Sequence, residues 1–232
     1  MPGMSLEALI FDFDGVVVDT EWAIYETWRD LYRQHGHDLP LETYNQCIGT
    51  DFNTWSPQTH LEDLTGNAFD WHDINPARNV EIRKALDGSQ ALPGVVDTVA
   101  AAEAAGLRLA VVSSSSHRWV DGWLEKLDLL HRFSTTVCRG DAPQIKPAPD
   151  LYLEAARRLG VEPGDCLVLE DSLNGLKSAL AAGMQTAALP NRVTACCDFS
   201  LAHHVLSSAA EVPDLLRRLA PARRSQARPE RS

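Results

Sequence analysis

Residues 8–15 read Ala8-Leu9-Ile10-Phe11-Asp12-Phe13-Asp14-Gly15, an unbroken apolar run that stops at two aspartates and a glycine. Four apolar residues closed off by turn residues read as a strand buried on both faces. Side chains two apart on an extended chain project the same way, within about 7 Å of each other. Asp12 and Asp14 are therefore aimed alike at the end of a buried strand, where a bare pair of carboxylates is costly. A shared proton or a bound hard cation such as Mg²⁺ relieves that cost. A loop with two solvated aspartates and a turn glycine is the other reading, and so short a pattern does not choose between them.

Working outward, further strand-like runs fall at 107–112, 135–137, 166–169 and 185–188, with helical stretches at 94–105, 117–127, 150–159 and 173–182. The alternation predicts an α/β protein: a doubly wound parallel sheet with helices on both faces. Ligands of such sheets bind at the carboxyl ends of the strands, where Asp12 and Asp14 sit.

From 20 to 90 the strand signals vanish and helical periodicity takes over, at 21–34, 41–47, 53–64 and 73–86. This block holds four of the six tryptophans (Trp22, Trp28, Trp55, Trp71) and twelve acidic residues against five basic ones, so it has its own apolar content and its own negative charge. Inserted after the first strand, it would lie above the strand ends. It reads as a cap that could exclude water and choose a substrate; helices that merely extend the core are the alternative. The boundaries expected are 1–19 and 91–219 for the α/β core, 20–90 for the cap, and 220–232 for a disordered, solvated tail with Arg223, Arg224, Arg228 and Arg231.

With 232 residues, 44% hydrophobic and 23% charged, the composition is that of an ordinary soluble protein able to bury a substantial core. The formal charge of -11 disfavours nucleic acid and anionic membranes as partners, so an anionic substrate must be drawn in by a local positive site. No apolar run reaches membrane-spanning length and no basic-then-apolar leader precedes the first strand, which points to the cytoplasm. No coiled-coil heptad appears, and a monomer is expected. Cys47, Cys138, Cys166, Cys196 and Cys197 show no metal-finger spacing and read as reduced thiols, mostly buried.

Three further constellations can carry chemistry. Leu109-Ala110-Val111-Val112 ends in Ser113-Ser114-Ser115-Ser116, whose hydroxyls and N–H groups at a strand-to-helix turn can cradle an anion; Ser115 and Ser116 read as linker and helix cap. Lys146-Pro147-Ala148-Pro149-Asp150 carries a lysine on a stiffened backbone, able to neutralise a phosphoryl group if it lies beside the carboxylates, and otherwise an exposed lysine before a helix. Cys166-Leu167-Val168-Leu169 runs into Glu170-Asp171-Ser172, two more acids suited to a cation, or a simple helix cap.

These four groups, in this order, resemble the haloacid dehalogenase-like hydrolase superfamily over nearly the whole chain, to about Leu216. The likeness is to the subgroup with a helical cap after the first strand, in the β-phosphoglucomutase and sugar-phosphate phosphatase branch, on a Rossmann-like fold. The resemblance implies that Asp12 attacks phosphorus and becomes an aspartyl phosphate, while Asp14 serves as acid and then base. It implies Mg²⁺ bound by Asp12, the Asp14 carbonyl and Asp171, with Glu170 acting through water or as a further ligand. Ser113, the Ser114 N–H and Lys146 would hold the phosphoryl oxygens.

Mutases of the branch carry a histidine where this chain has Ile24, and an arginine in a loop that here reads Ile48-Gly49-Thr50-Asp51-Phe52. An aspartate there would repel a second phosphate, which argues against a mutase. Dehalogenases lack the second acid, present here as Asp14. Phosphonoacetaldehyde hydrolases use a cap lysine near that loop, but the sole lysine of this cap is Lys84, at its far end. A phosphatase acting on a small sugar or polyol phosphate is left, with Thr50, Asp51, Asn53, Trp22 and Trp55 as candidate substrate contacts; the alternatives are a β-phosphoglucomutase-like phosphotransferase that hands the phosphoryl group to an acceptor other than water, and a non-catalytic binding protein on the same fold. Asp19 is expected to cap the first cap helix.

Overall fold

The computed structural model of the protein describes residues 6–49 and 55–219. Its core is a six-stranded parallel sheet in the order β3-β2-β1-β4-β5-β6, with β1 Ala8–Phe11, β2 Arg108–Val112, β3 Thr135–Val137, β4 Cys166–Glu170, β5 Gln185–Ala188 and β6 His204–Val205. The first strand lies in the middle because it carries no polar residue: all four of its side chains are buried.

Alternation along the strands builds two apolar layers. Leu9, Phe11, Leu109, Val111, Leu167 and Leu169 face one side, where they pack on α5 Val95–Ala104, α6 His117–Lys126 and α9 Val212–Leu219. Ile10, Ala110, Val112 and Val168 face the other, against Leu151, Tyr152 and Ala155 of α7 Asp150–Leu159 and Ala179 of α8 Leu173–Ala181. Helices on both faces make the sheet doubly wound, as the sequence pattern predicts.

Helices α1 Thr20–Gln34, α2 Leu41–Tyr44, α3 Pro57–Thr65 and α4 Trp71–Ala85 occupy the chain between β1 and α5. They surround an apolar cluster of their own, with Tyr25, Trp28, Leu31, Tyr32, Tyr44 and Leu61 at its centre and Val193, from the loop after β5, docked into it. Trp22 and Trp55 pack against this cluster. The chain enters and leaves the helical block through adjacent segments, joined by the Leu92 N–H donating to the Val17 carbonyl at 2.8 Å.

The differences from the sequence reading are local. Helix α2 stops at Tyr44, and α4 starts at Trp71 because the Asp70 carboxylate accepts the His72 N–H at 3.0 Å. Strand β6, at the far edge of the sheet, and helix α9, packed beside α5, were not anticipated. The start expected for α3 near Asn53 lies outside the described residues, and the helix as seen begins at Pro57 behind the Ser56 cap. Asp19 precedes α1 without capping it; its Oδ2 pairs instead with Arg192 at 2.8 Å. All five cysteines are free thiols, with Cys47, Cys138 and Cys166 buried. No described helix is long and apolar enough to cross a membrane.

One polar clamp fixes the turn between β2 and α6. His117 donates from Nδ1 to Asp121 at 2.9 Å and from Nε2 to Asp141 at 2.8 Å, and Asp141 also accepts the Cys138 N–H at 3.0 Å. Burial alone would pull the imidazole down, but the two carboxylates raise it above its ordinary value of 6.5. A base with a raised folded pKa stabilises fully below its unfolded pKa, and that contribution is lost as pH rises through the folded value. Denaturant titrations should therefore show wild-type stability declining more steeply above about pH 6.5 than that of His117→Gln. Equal slopes would mean that the folded protein does not hold the imidazolium.

Candidate active site

Register brings three strand ends into step. Phe11 lies beside Val111 of β2 and Leu169 of β4, so Asp12, Ser113 and Glu170-Asp171 leave the sheet together. The Asp12 N–H still donates to the Leu169 carbonyl at 2.9 Å, and the Ser113 N–H to the Val137 carbonyl at 3.0 Å. The backbones of Asp12 and Ser113 are thus held by the sheet they have just left.

Lys146 enters from the loop before α7 and is 1% exposed. Its ammonium donates to Asp12 Oδ1, to Glu170 Oε1 at 2.6 Å and to the Val112 carbonyl at 3.1 Å, which occupies all three of its protons. Glu170 is fully engaged in turn: Oε1 also accepts the Tyr152 hydroxyl at 2.7 Å, and Oε2 accepts the Ser172 N–H and hydroxyl at 3.2 and 3.1 Å. Ser172 meanwhile caps α8 by accepting the Gly175 N–H at 3.0 Å. Gly175 has to be glycine, since a Cβ there would overlap the Glu170 carboxylate. Gly15 stands at φ +82° against Asp171, where a Cβ would strike the Asp171 carboxylate and the left-handed backbone would be strained.

Asp14 is held by four donors. Oδ1 accepts Thr20 Oγ1 at 2.7 Å and Trp119 Nε1 at 2.8 Å, while Oδ2 accepts Ser115 Oγ at 2.7 Å and Ser113 Oγ at 3.2 Å. Asp171 accepts Asn191 Nδ2 at 2.6 Å. The Ser114 hydroxyl is directed to the Gly49 carbonyl at 3.1 Å, and the Ser114 carbonyl accepts Arg139 Nε at 2.9 Å.

Charge is out of balance here. Burial, then the Glu170 carboxylate, pushes Asp12 up to about 8 against the pull of Lys146. Asp171 is raised well above the carboxylate range by burial, and then by the charges of Asp12 and Glu170. Burial would pull Lys146 down, but Asp12 and Glu170 more than offset it and raise the ammonium instead. Oxygens of Asp12, Glu170 and Asp171 lie within 4.8 Å of one another, all buried. A divalent cation with a preference for oxygen suits that donor set, since it removes the repulsion that one ammonium leaves uncompensated.

A cavity of about 200 Å³ opens on this cluster, lined among others by Asp12, Asp14, Ser113, Ser114 and Lys146. The core residues singled out from sequence, Asp12, Asp14, Ser113, Ser114, Lys146, Glu170 and Asp171, therefore converge. Trp22 and Trp55 are not among the lining residues of this cavity or of the larger one that adjoins it at Asp14. Thr50, Asp51 and Asn53 lie outside the described residues. Thr20, Ser115, Trp119, Tyr152 and Asn191 were not anticipated. Ser115 alone carried a signal, because it stands two residues from Ser113, the spacing that marks Asp12 and Asp14. Ser116, read as a cap, holds the position before α6 without a side-chain bond to it.

The sequence profile described as haloacid dehalogenase-like hydrolase matches residues 9–189. The Bacillus subtilis (strain 168) protein YhcW, a candidate phosphatase, is 38% identical over 207 residues, covering 89% of this chain and 94% of that one. The fructose-1-phosphate phosphatase YqaB of Escherichia coli (strain K12) is 33% identical over 178 residues, covering 76% and 92%. Among solved structures, a hydrolase of this family from Deinococcus radiodurans R1 with bound phosphate and sodium superposes with a TM-score of 0.74 at 28% identity, covering 93% of this chain and 97% of that one. With its motifs at the ends of adjacent parallel strands and a profile match that spans the sheet from β1 to β5, the chain belongs to the haloacid dehalogenase-like hydrolase family.

Proposed function

We propose that the protein is a phosphatase that hydrolyses a small phosphorylated metabolite, a sugar or polyol phosphate, through an aspartyl phosphate on Asp12. The observation that carries this reading is the buried Lys146 ammonium shared between Asp12 and Glu170 at the floor of a small cavity.

In the first half-reaction a carboxylate oxygen of Asp12 forms a bond to phosphorus as the bond from phosphorus to the ester oxygen breaks. Lys146 fixes that carboxylate and offsets its charge as the anionic phosphoryl group approaches. Asp14 gives a proton to the departing alkoxide; Thr20, Trp119, Ser113 and Ser115 hold its carboxyl in place for this. In the second half-reaction Asp14 takes a proton from water, whose oxygen attacks phosphorus and frees Asp12 and inorganic phosphate. Ser113 and the Ser114 N–H are assigned to the phosphoryl oxygens, with Lys146 acting on them through its charge, since its three protons are held by Asp12, Glu170 and the Val112 carbonyl. Asp12, Asp171, the Asp14 carbonyl and Glu170, directly or through water, would hold Mg²⁺, which supplies charge neutralisation for the phosphoryl group. Glu170, already accepting four hydrogen bonds, chiefly positions Lys146.

Residues 20–90 are assigned as a cap over a core of 1–19 and 91–219. Ile24 lines the cavity, and an aliphatic side chain there cannot relay a proton, which favours hydrolysis over a mutase cycle.

Phosphate release from a panel of sugar, polyol and nucleotide monophosphates tests the reading. Release should require Mg²⁺, cease with chelator and return on adding the metal. Asp12→Asn should lower kcat by at least about 10³-fold while keeping the fold, and release that survives it would remove Asp12 as the nucleophile. Asp14→Asn should slow the hydrolysis of the phosphorylated enzyme, so that acid-stable label from a ³²P-labelled substrate builds up on the protein. Absence of any label, with turnover still slow, would place Asp14 in the first step alone.

A further inference from the structure

A second cluster of metal-ligating side chains stands outside the active site, where α6 meets the segment after β3. His117 and Asp121 are four residues apart on α6 and share one face of it, and Cys138 follows the last residue of β3. A ring nitrogen of His117, a carboxylate oxygen of Asp121 and Cys138 Sγ all lie within 4.8 Å of one another. Cys138 is buried, while His117 and Asp121 are half-buried and leave a path to solvent.

The two nitrogens of His117 have different partners. Nδ1 lies 2.9 Å from Asp121 Oδ2 and 3.5 Å from Thr136 Oγ1, whereas Nε2 donates to Asp141 Oδ2 at 2.8 Å. Asp141 is itself held by the Cys138 N–H at 3.0 Å and by Arg158 at 3.2 Å. A carboxylate that fixes one N–H of an imidazole, and so turns the other nitrogen toward an ion, is the usual support of a metal-bound histidine. Asp121 supplies an independent observation: its Oδ1 is buried and has no hydrogen-bond partner. Such an oxygen calls for a donor or a cation. Burial, and then the carboxylates of Asp121 and Asp141, pushes the Cys138 thiol up to about 12. A cation placed among these groups reverses that electrostatic effect.

We propose that His117 Nδ1, Asp121 and Cys138 Sγ form a second metal site, for a borderline-soft divalent ion of the Zn²⁺ type. One imidazole, one carboxylate and one thiolate suit a tetrahedral ion, with the fourth place left to Thr136 Oγ1 or water. Small movements of His117 and Asp121 bring the donors to the separation of about 3.5 Å that such an ion sets. The ion takes the places of two protons, those on His117 Nδ1 and Cys138 Sγ, which pass to solvent. The sulfur distinguishes this set from the all-oxygen cluster of Asp12, Glu170 and Asp171, which suits Mg²⁺. Nothing in the proposal depends on the phosphatase reading. No chain spacing announces the site, because the cysteine is brought to the helix by tertiary packing.

The test is optical titration of the reduced, chelator-treated full chain with Co²⁺. Wild type should develop a sulfur-to-cobalt charge-transfer band in the near ultraviolet that saturates at about one equivalent per chain. An equal amount of Zn²⁺ should abolish the band, and excess Mg²⁺ should leave it in place. The band should disappear in Cys138→Ser and persist in the double variant Cys196→Ser and Cys197→Ser. Asp141→Asn should weaken Co²⁺ binding by about 10–100-fold through the freed imidazole. If Cys138→Ser does not fold, His117→Gln carries the same test, with loss of the band at one equivalent expected. Absence of the band in wild type overturns the proposal and leaves a hydrogen-bonded clamp. A band that survives both Cys138→Ser and His117→Gln also overturns it, since the ion then sits on another cysteine.

Discussion

A single buried ammonium organises the site. Lys146 is surrounded by Asp12, Glu170 and the Val112 carbonyl, so it touches the ends of β1, β2 and β4 at once. Removing it would leave carboxylates in a low-dielectric floor with no fixed counter-charge, a loss on the order of several kcal/mol. The packing around it follows from that constraint. Tyr152 on α7 and Ser172 at the head of α8 spend their hydroxyls on Glu170 so that its charge stays fully hydrogen-bonded, and Gly175 stays small so that the carboxylate has room. Helices on one face of the sheet are thus tied to the same electrostatic centre that the strands deliver.

Asp14 presents the complementary case. Its donors come from α1, from the turn after β2 and from the first turn of α6. The His117 clamp sits on the same turn, where it joins α6 to the segment after β3. A carboxyl that has to give and take a proton gains from a fixed position, because a misaligned acid loses much of its effect. The indole of Trp119 suits this task, as it can donate but never accept.

What could be read from the sequence follows from how each feature is encoded. Buried parallel strands must be apolar from end to end, so β1, β2, β4 and β5 stand out, and the polar residues that terminate them mark the site. Asp12, Ser113 and Glu170 are legible for that reason, and Lys146 because the prolines that follow it stiffen the backbone before a helix. Thr20, Trp119 and Asn191 are not, since each reaches the site from a helix or loop by tertiary packing and stands among neighbours that do not distinguish it. Strand β6 spans two residues, too few for any periodicity to show. Asp19 has the residue type of a helix cap, but Arg192, far along the chain, competes for its carboxylate.

The bond between Leu92 and Val17 bears on how the chain finds this fold. Strands β1 and β2 are neighbours in the sheet although the whole helical block lies between them in sequence. Closing a loop costs entropy that grows only with the logarithm of its length, so lengthening a connection of about 25 residues to about 100 adds roughly 1 kcal/mol. Even that sum falls if the block condenses first around its aromatic centre, because its two ends then emerge side by side and the effective loop shrinks to a few residues. The insert is therefore nearly neutral for the pairing it interrupts, and its length and surface can vary while the sheet retains its order.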